Sequence, residues 1–232
     1  MTDPPGARLR KGWALGAALG VLAVGLVVDQ AVPGTHVVVG LGLVAGLVVV
    51  ARVAGLTAAD LGLARSTWPA GLRWGAAAAA LVGATFALSL LIAPVRQAVP
   101  YGDGSLGWAT LRAVLVVIPL GTVLPEELAF RGVLLALLGR RYGVRAGTLL
   151  SSGLFGLWHV LPSLGGVANA TIAGVVGADA AGSAVRVVVT VLFTSLAGMV
   201  LCWLRLRSGS LLAPVLAHWT VNGLGVIVAM LA

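Results

Sequence analysis

Long apolar runs alternate with short polar breaks along this chain, and most of the runs reach membrane-spanning length. An α-helix rises about 1.5 Å per residue, so roughly 20 apolar residues cross a hydrocarbon core of about 30 Å. By that measure the pattern predicts seven helices, over Trp13–Val32, Val37–Val53, Ala70–Ile92, Trp108–Leu138, Ala146–Leu161, Val185–Leu204 and Leu211–Ala232. The fourth is the longest, and Pro119 and Pro125 inside it predict kinks, because proline removes a backbone donor and crowds the preceding turn. Between the fifth and sixth runs, SLGGVANATIAGVVGADAAGS is apolar but rich in glycine, which predicts a short eighth span or a re-entrant segment over residues 164–180. The run after MTDPPGARLRKGW is long enough to span and no cleavage site follows it, so it is expected to be a retained first helix rather than a signal peptide.

Composition agrees with this pattern. Of 232 residues 59% are hydrophobic and 9% charged, with a mean hydropathy of +1.07. A soluble domain carries roughly 25% charged residues. The expected fold is therefore all-α, a polytopic transmembrane helical bundle forming a single integrated membrane domain, in which residues 1–107 make a three-span N-terminal region and residues 108–232 the core.

The net charge of +8 sorts by position. With the N-terminus in the cytoplasm beside Arg8, Arg10 and Lys11, seven crossings also place Arg52, Arg65, Arg73, Arg140, Arg141, Arg145, Arg205 and Arg207 inside, eleven of the fifteen basic residues. Arg96, Arg112 and Arg186 fall outside, and Arg131 lies within a span. An eighth full crossing after residue 161 would put Arg205 and Arg207 outside, so seven crossings of the cell membrane are preferred. No basic stripe interleaved with aromatics exists, and a nucleic-acid partner is not expected. The single cysteine, Cys202, sits in an apolar run with no metal-ligand spacing. The polar loop LTAADLGLARSTW is expected at the cytoplasmic interface without a catalytic role.

Against this background a few polar residues stand out. Glu126 and Glu127 are adjacent within IPLGTVLPEELAFRGVLLALL, and Arg131 lies one turn after Glu127 on the same helix face. An ionised group at that depth costs at least a few kcal/mol unless paired or hydrated, which makes the trio a functional-site candidate. His159 follows Phe155 by one turn, and Asn222 follows His218 by one turn. Counted from the arginine-rich ends, Glu126 lies about 18 Å deep, His159 about 20 Å, His218 about 12 Å and Asn222 about 18 Å. Three helices thus deliver these groups to one layer. Each alone is ordinary: a buried ion pair locking two helices, an interhelical hydrogen bond, polar glue between spans. Their coincidence in so apolar a chain favours a site. A glutamate can take a proton from water, a histidine can hold that water or pass the proton to a leaving amine, and a second histidine with an asparagine can donate to an oxyanion. With Glu127 tied to Arg131, Glu126 is the better-placed base. His36 reads as a bystander at the outer interface and Phe155 as packing; Trp158 and Trp219 flank the two histidines and read as packing in preference to pocket walls, and Asn169 and Asp179 as parts of a solvated turn in preference to an entry path.

The ordered motifs Glu126-Glu127-Leu-Ala-Phe-Arg131, Phe155-Gly-Leu-Trp-His159 and His218-Trp-Thr-Val-Asn222 resemble those of the CPBP family, the CAAX prenyl endopeptidases and bacteriocin-processing proteins also called the Abi family. The resemblance covers roughly residues 108–225. It implies a multi-spanning endopeptidase that cleaves membrane peptides or lipidated proteins, prenylated ones among them. Glu126 and His159 would activate water, His218 and Asn222 would support the oxyanion, and Glu127 and Arg131 would hold the site in shape. No cofactor is expected. Zinc is the alternative, since one glutamate and two histidines can bind it with water in the fourth position, but a neighbouring arginine would repel the cation. The substrate is expected to enter near the cytoplasmic leaflet. Two other readings compete: a non-catalytic scaffold or bacteriocin-immunity protein of the same family, and a proton-coupled transporter, which the short chain and the lack of repeated halves disfavour.

Overall fold

A computed structural model describes residues 5–93, 106–164 and 180–231. The glycine-rich segment at 165–179 with Asn169 and Asp179, and also Arg96, lie outside the described residues. Every regular element among the described residues is helical: α1 Pro5–Ala31, α2 His36–Val53, α3 Trp68–Ser89, α4 Trp108–Tyr142, α5 Val144–Trp158, α6 Val160–Ser163, α7 Ala180–Ser208 and α8 Leu212–Leu231. Lipid offers no hydrogen-bond partners, and a helix satisfies its backbone within one segment.

Six of these helices, rather than seven, are long and apolar enough to cross a membrane. The difference lies at the fifth predicted run, where α5 has only 15 residues. Pro162 has no N–H to give the carbonyl of Trp158, and the chain turns at His159, whose own N–H bonds to the Gly156 carbonyl at 3.1 Å. The helix break thus coincides with a candidate catalytic residue.

Pro119 lies within a widened stretch of α4. Residues Ala113–Val123 and Leu128–Leu134 wind with wider π-type turns, and the N–H groups of Leu124 and Leu135 reach back five residues to the carbonyls of Pro119 and Phe130. In that register residue 119 would be the donor to Val114, and proline cannot serve. The Trp219 indole of α8 fills the gap, donating to the Val114 carbonyl at 2.8 Å. Such widened turns are frequent at functional sites.

Small residues set the close contacts between helices, as is usual where lipid supplies no hydrophobic drive. Gly40 of α2 meets α4 at Gly121, where an added Cβ would lie 2.8 Å from the Gly121 Cα. Gly75 of α3 faces Ala213 and Leu216 of α8, and Gly198 of α7 faces Ser152 of α5. A turn at Gly143, with φ of +85°, reverses the chain between α4 and α5.

One end of the bundle is fastened by arginines. Asp60, in the loop after α2, accepts from the Thr57 hydroxyl at 2.6 Å, the Thr57 N–H at 2.7 Å and Arg140 at 2.8 Å. Arg205 of α7 donates to the Asp60 carbonyl at 2.9 Å, and the Leu211 N–H before α8 bonds to the Gly62 carbonyl at 2.8 Å. Gly62 has a φ of +74°, and a side chain there would strike the Arg205 guanidinium. The loop expected to be a plain interface segment therefore joins α2, α4, α7 and α8. At the opposite end, between α1 and α2, His36 pairs with Asp29 at 2.7 Å.

Candidate active site

Glu126 stands fourteen residues from both Arg112 and Arg140, about 21 Å from each along α4, and so at the middle of the span. The whole stretch from Pro125 to Leu135 is buried. Pro125 enters the bundle beside α2, and the following turns put Glu126, Glu127 and Arg131 inward in succession.

Glu127 and Arg131 are both 0% exposed and form a 2.9 Å ion pair. The Arg131 guanidinium carbon also lies 4.0 Å from the centre of the Phe155 ring, a cation–π contact in a desolvated setting. Phe155 is thus packing, as expected, and also the second support of the arginine. The same Glu127 oxygen, Oε1, accepts from His218 Nδ1 at 2.8 Å. A bond from Nδ1–H to a carboxylate leaves His218 Nε2 as the lone-pair nitrogen, and the Asn222 amide donates to it at 3.3 Å. Arg131, Glu127, His218 and Asn222 form one continuous chain from α4 to α8.

Glu126 is held from a different direction. Its Oε1 accepts from the Trp158 indole at 2.9 Å. Its Oε2 has no partner among the described residues and lies 3.9 Å from His218 Nε2. His159, at the break after α5, donates from Nδ1 to the Phe155 carbonyl at 2.7 Å, which leaves Nε2 free to accept. The rings of His159 and His218 lie 4.6 Å and 6.0 Å from that of Phe155, edge to face. Phe155 is the hub on which the arginine and both histidines converge.

A cavity of about 290 Å³ has Glu126, Trp158 and His159 in its wall. Two of the four predicted chemical groups, Glu126 and His159, therefore face one space. His218 and Asn222 are not in that wall; they approach Glu126 from α8. Among the described residues no three His, Cys, Asp or Glu side chains form a group that could hold a metal ion.

The model of the Rce1-like family, described as type II CAAX prenyl endopeptidase Rce1-like, matches residues 108–224, half of the chain. The chain belongs to the Rce1-like family. The matched stretch begins with α4 and holds every one of Glu126, Glu127, Arg131, His159, His218 and Asn222. At the level of the family the protein is a membrane endopeptidase of the CAAX protease type, multi-pass and facing membrane-associated substrates. No curated protein matches the chain. No solved structure matches it either.

Two features of the candidate site escaped the sequence. Trp158 was expected to pack, yet its indole holds Glu126; nothing in the spacing shows where a tryptophan N–H points. The Asp29–His36 pair, outside the matched region, shares the cavity with Glu126. His36 reads from the sequence as a bystander because it starts a span at the outer interface.

Proposed function

We propose that this protein is an intramembrane endopeptidase of the cell membrane, N-terminus in the cytoplasm, that hydrolyses peptide bonds by glutamate-activated water. The observation that carries the reading is the divided carboxylate of Glu126. One oxygen is fixed by Trp158, the other accepts no hydrogen bond among the described residues, and the residue shares a cavity with His159.

Water bound at Glu126 Oε2 would give up a proton to the carboxylate as its oxygen attacks the peptide carbonyl. The carbonyl C=O opens to an oxyanion as the new C–O bond forms. His159, oriented through Nδ1, has Nε2 to hold the water; the proton taken up by Glu126 is afterwards passed, by way of that Nε2, to the departing amine as the C–N bond breaks. Oε2 is also the oxygen nearest His218 Nε2, so the tetrahedral centre would form beside the His218–Asn222 pair. One N–H of the Asn222 amide is used on His218, and the other is available to the oxyanion. Glu127 and Arg131 keep His218 in place. No metal is needed in this sequence of steps; zinc is the alternative. Substrates would be membrane peptides or lipidated proteins, prenylated ones among them.

Proteomic comparison of membranes from wild-type cells and cells carrying Glu126→Gln tests the proposal. Peptides that accumulate uncut in the variant are the expected result, and identical peptide sets would contradict it. A scaffold or immunity role predicts instead that Glu126→Gln retains the full phenotype.

A further inference from the structure

His218 and Asn222 sit one turn apart on α8, and each is followed by a residue that meets α4. The Trp219 indole donates to the Val114 carbonyl at 2.8 Å. A Cβ added at Gly223, one turn after Trp219, would lie 3.4 Å from Val114 Cγ1 and 4.0 Å from the indole nitrogen. Gly223 thus brings α8 close against Val114, beside the indole. Successive residues of an α-helix point about 100° apart. One face of α8, with Trp219 and Gly223, therefore rests on α4, and the neighbouring face carries His218 and Asn222. His218 itself reaches Glu127 at 2.8 Å. Two adjacent residues of α8 grip α4 at positions thirteen apart, Val114 and Glu127. The acceptor at Val114 exists because of Pro119. In the widened register of Ala113–Val123 the N–H of residue 119 would serve that carbonyl, and proline has none. Lipid would leave the carbonyl unsatisfied.

We infer that Trp219 is a positioning residue for His218 and Asn222: its bond to the carbonyl that Pro119 frees sets the depth and rotation of α8 against α4. This rests on the reading of His218 and Asn222 as the pair that meets the oxyanion. Satisfying the Val114 carbonyl would need only some donor. The indole does more, because it is carried by the residue next to His218. The Glu127 bond tethers the His218 ring but leaves α8 free to turn about it, and the second contact removes that freedom. His218 Nε2 lies 3.9 Å from Glu126 Oε2 and 3.3 Å from the Asn222 amide. A slip of about 1 Å along α8 would separate groups that act on one reacting centre. Trp158 has the same arrangement on α5, adjoining His159 and donating to Glu126 of α4 at 2.9 Å. Each histidine is thus indexed to α4 by the indole of a neighbouring tryptophan.

Trp219→Phe and Pro119→Ala, singly and together, test the inference in the purified protein, with melting temperature and steady-state cleavage of a peptide that the wild type cuts. Trp219→Phe removes the donor, and Pro119→Ala gives residue 119 an N–H of its own for the Val114 carbonyl. Trp219→Phe should lower kcat by roughly ten- to a hundredfold in both backgrounds, with KM within about twofold. Its cost in melting temperature should be clear in the wild-type background and shrink in Pro119→Ala, where the carbonyl keeps a donor. If Trp219→Phe alone does not fold, the kcat factor is read in the Pro119→Ala background. A kcat penalty that disappears together with the melting penalty would reduce Trp219 to satisfying a carbonyl and overturn the inference. So would a kcat within about twofold of the matched parent, a change in KM alone, or equal melting penalties in both backgrounds. Glu126→Gln assayed in parallel keeps the two ideas apart. If it loses cleavage while Trp219→Phe does not, only the positioning role fails; if it cleaves normally, the reading of the site fails and the positioning role with it.

Discussion

The indole nitrogen of Trp158 lies 2.9 Å from Oε1 of Glu126, while Oε2 of the same carboxylate has no partner among the described residues. One donor therefore fixes which oxygen of Glu126 remains for water. Trp158 immediately precedes His159, so the break that ends α5 positions both residues at once.

Trp158→Phe keeps a ring in the cavity wall and removes only the donor. A hydrogen bond to a charged group contributes about 1.5–3 kcal/mol, so kcat should fall by about one to two orders of magnitude. KM should change much less, because the bond orients the base and not the substrate. Steady-state kinetics of the purified variant against a cleaved peptide measures the split; a change in KM alone would assign Trp158 to substrate binding.

Glu127 and Arg131 form a fully buried pair, and its two single variants should differ from the double. Removing one partner of such a pair costs about 3–5 kcal/mol, since the other charge is left uncompensated. Glu127→Gln and Arg131→Met should each lower the melting temperature in detergent markedly. The double variant should be less destabilised than the sum of the two. Additive effects would mean that the charges do not depend on each other.

Asp60 lies in the loop outside the spans, and its carboxyl is held below the usual aspartate range by the Thr57 hydroxyl first, with the Thr57 N–H and Arg140 assisting against the effect of burial. A depressed folded value means that its stabilisation is complete above the unfolded pKa of about 3.9 and is lost as pH falls through the folded value. Melting temperature measured from neutral pH downward should therefore show an acid limb that is shallower in Asp60→Asn, the two curves converging at the lowest pH. Parallel curves would show that the loop does not depend on the Asp60 charge.

The site was legible from sequence to the extent that it consists of charge in an apolar setting. Glu126, Glu127 and Arg131 are conspicuous inside a greasy run, and His159 and His218–Asn222 fall at compatible depths by counting rise per residue. In the structure Glu127 is paired with Arg131 and His218, and Phe155 meets Arg131, His159 and His218. Helix number was less legible: hydropathy runs on through Leu161, whereas α5 ends three residues earlier, at Trp158, where Pro162 withholds one donor. Partner direction was not legible at all. Trp158 and Trp219 both looked like apolar bulk, and each gives its N–H to an acceptor that only the three-dimensional arrangement brings near. Asp29 and His36 were missed for a related reason: the cavity joins α1 and α2 to α4 and α5, across a sequence distance that no motif bridges.

The most direct test of the central claim is the cleavage rate of purified Glu126→Gln relative to wild type in the same proteoliposomes, with melting temperatures compared in parallel. General-base catalysis of this kind is worth about 10²–10⁴-fold, so the variant should lose at least that factor while melting as wild type does. A Glu126→Gln protein that folds normally and cleaves within a few-fold of the wild-type rate would contradict the account.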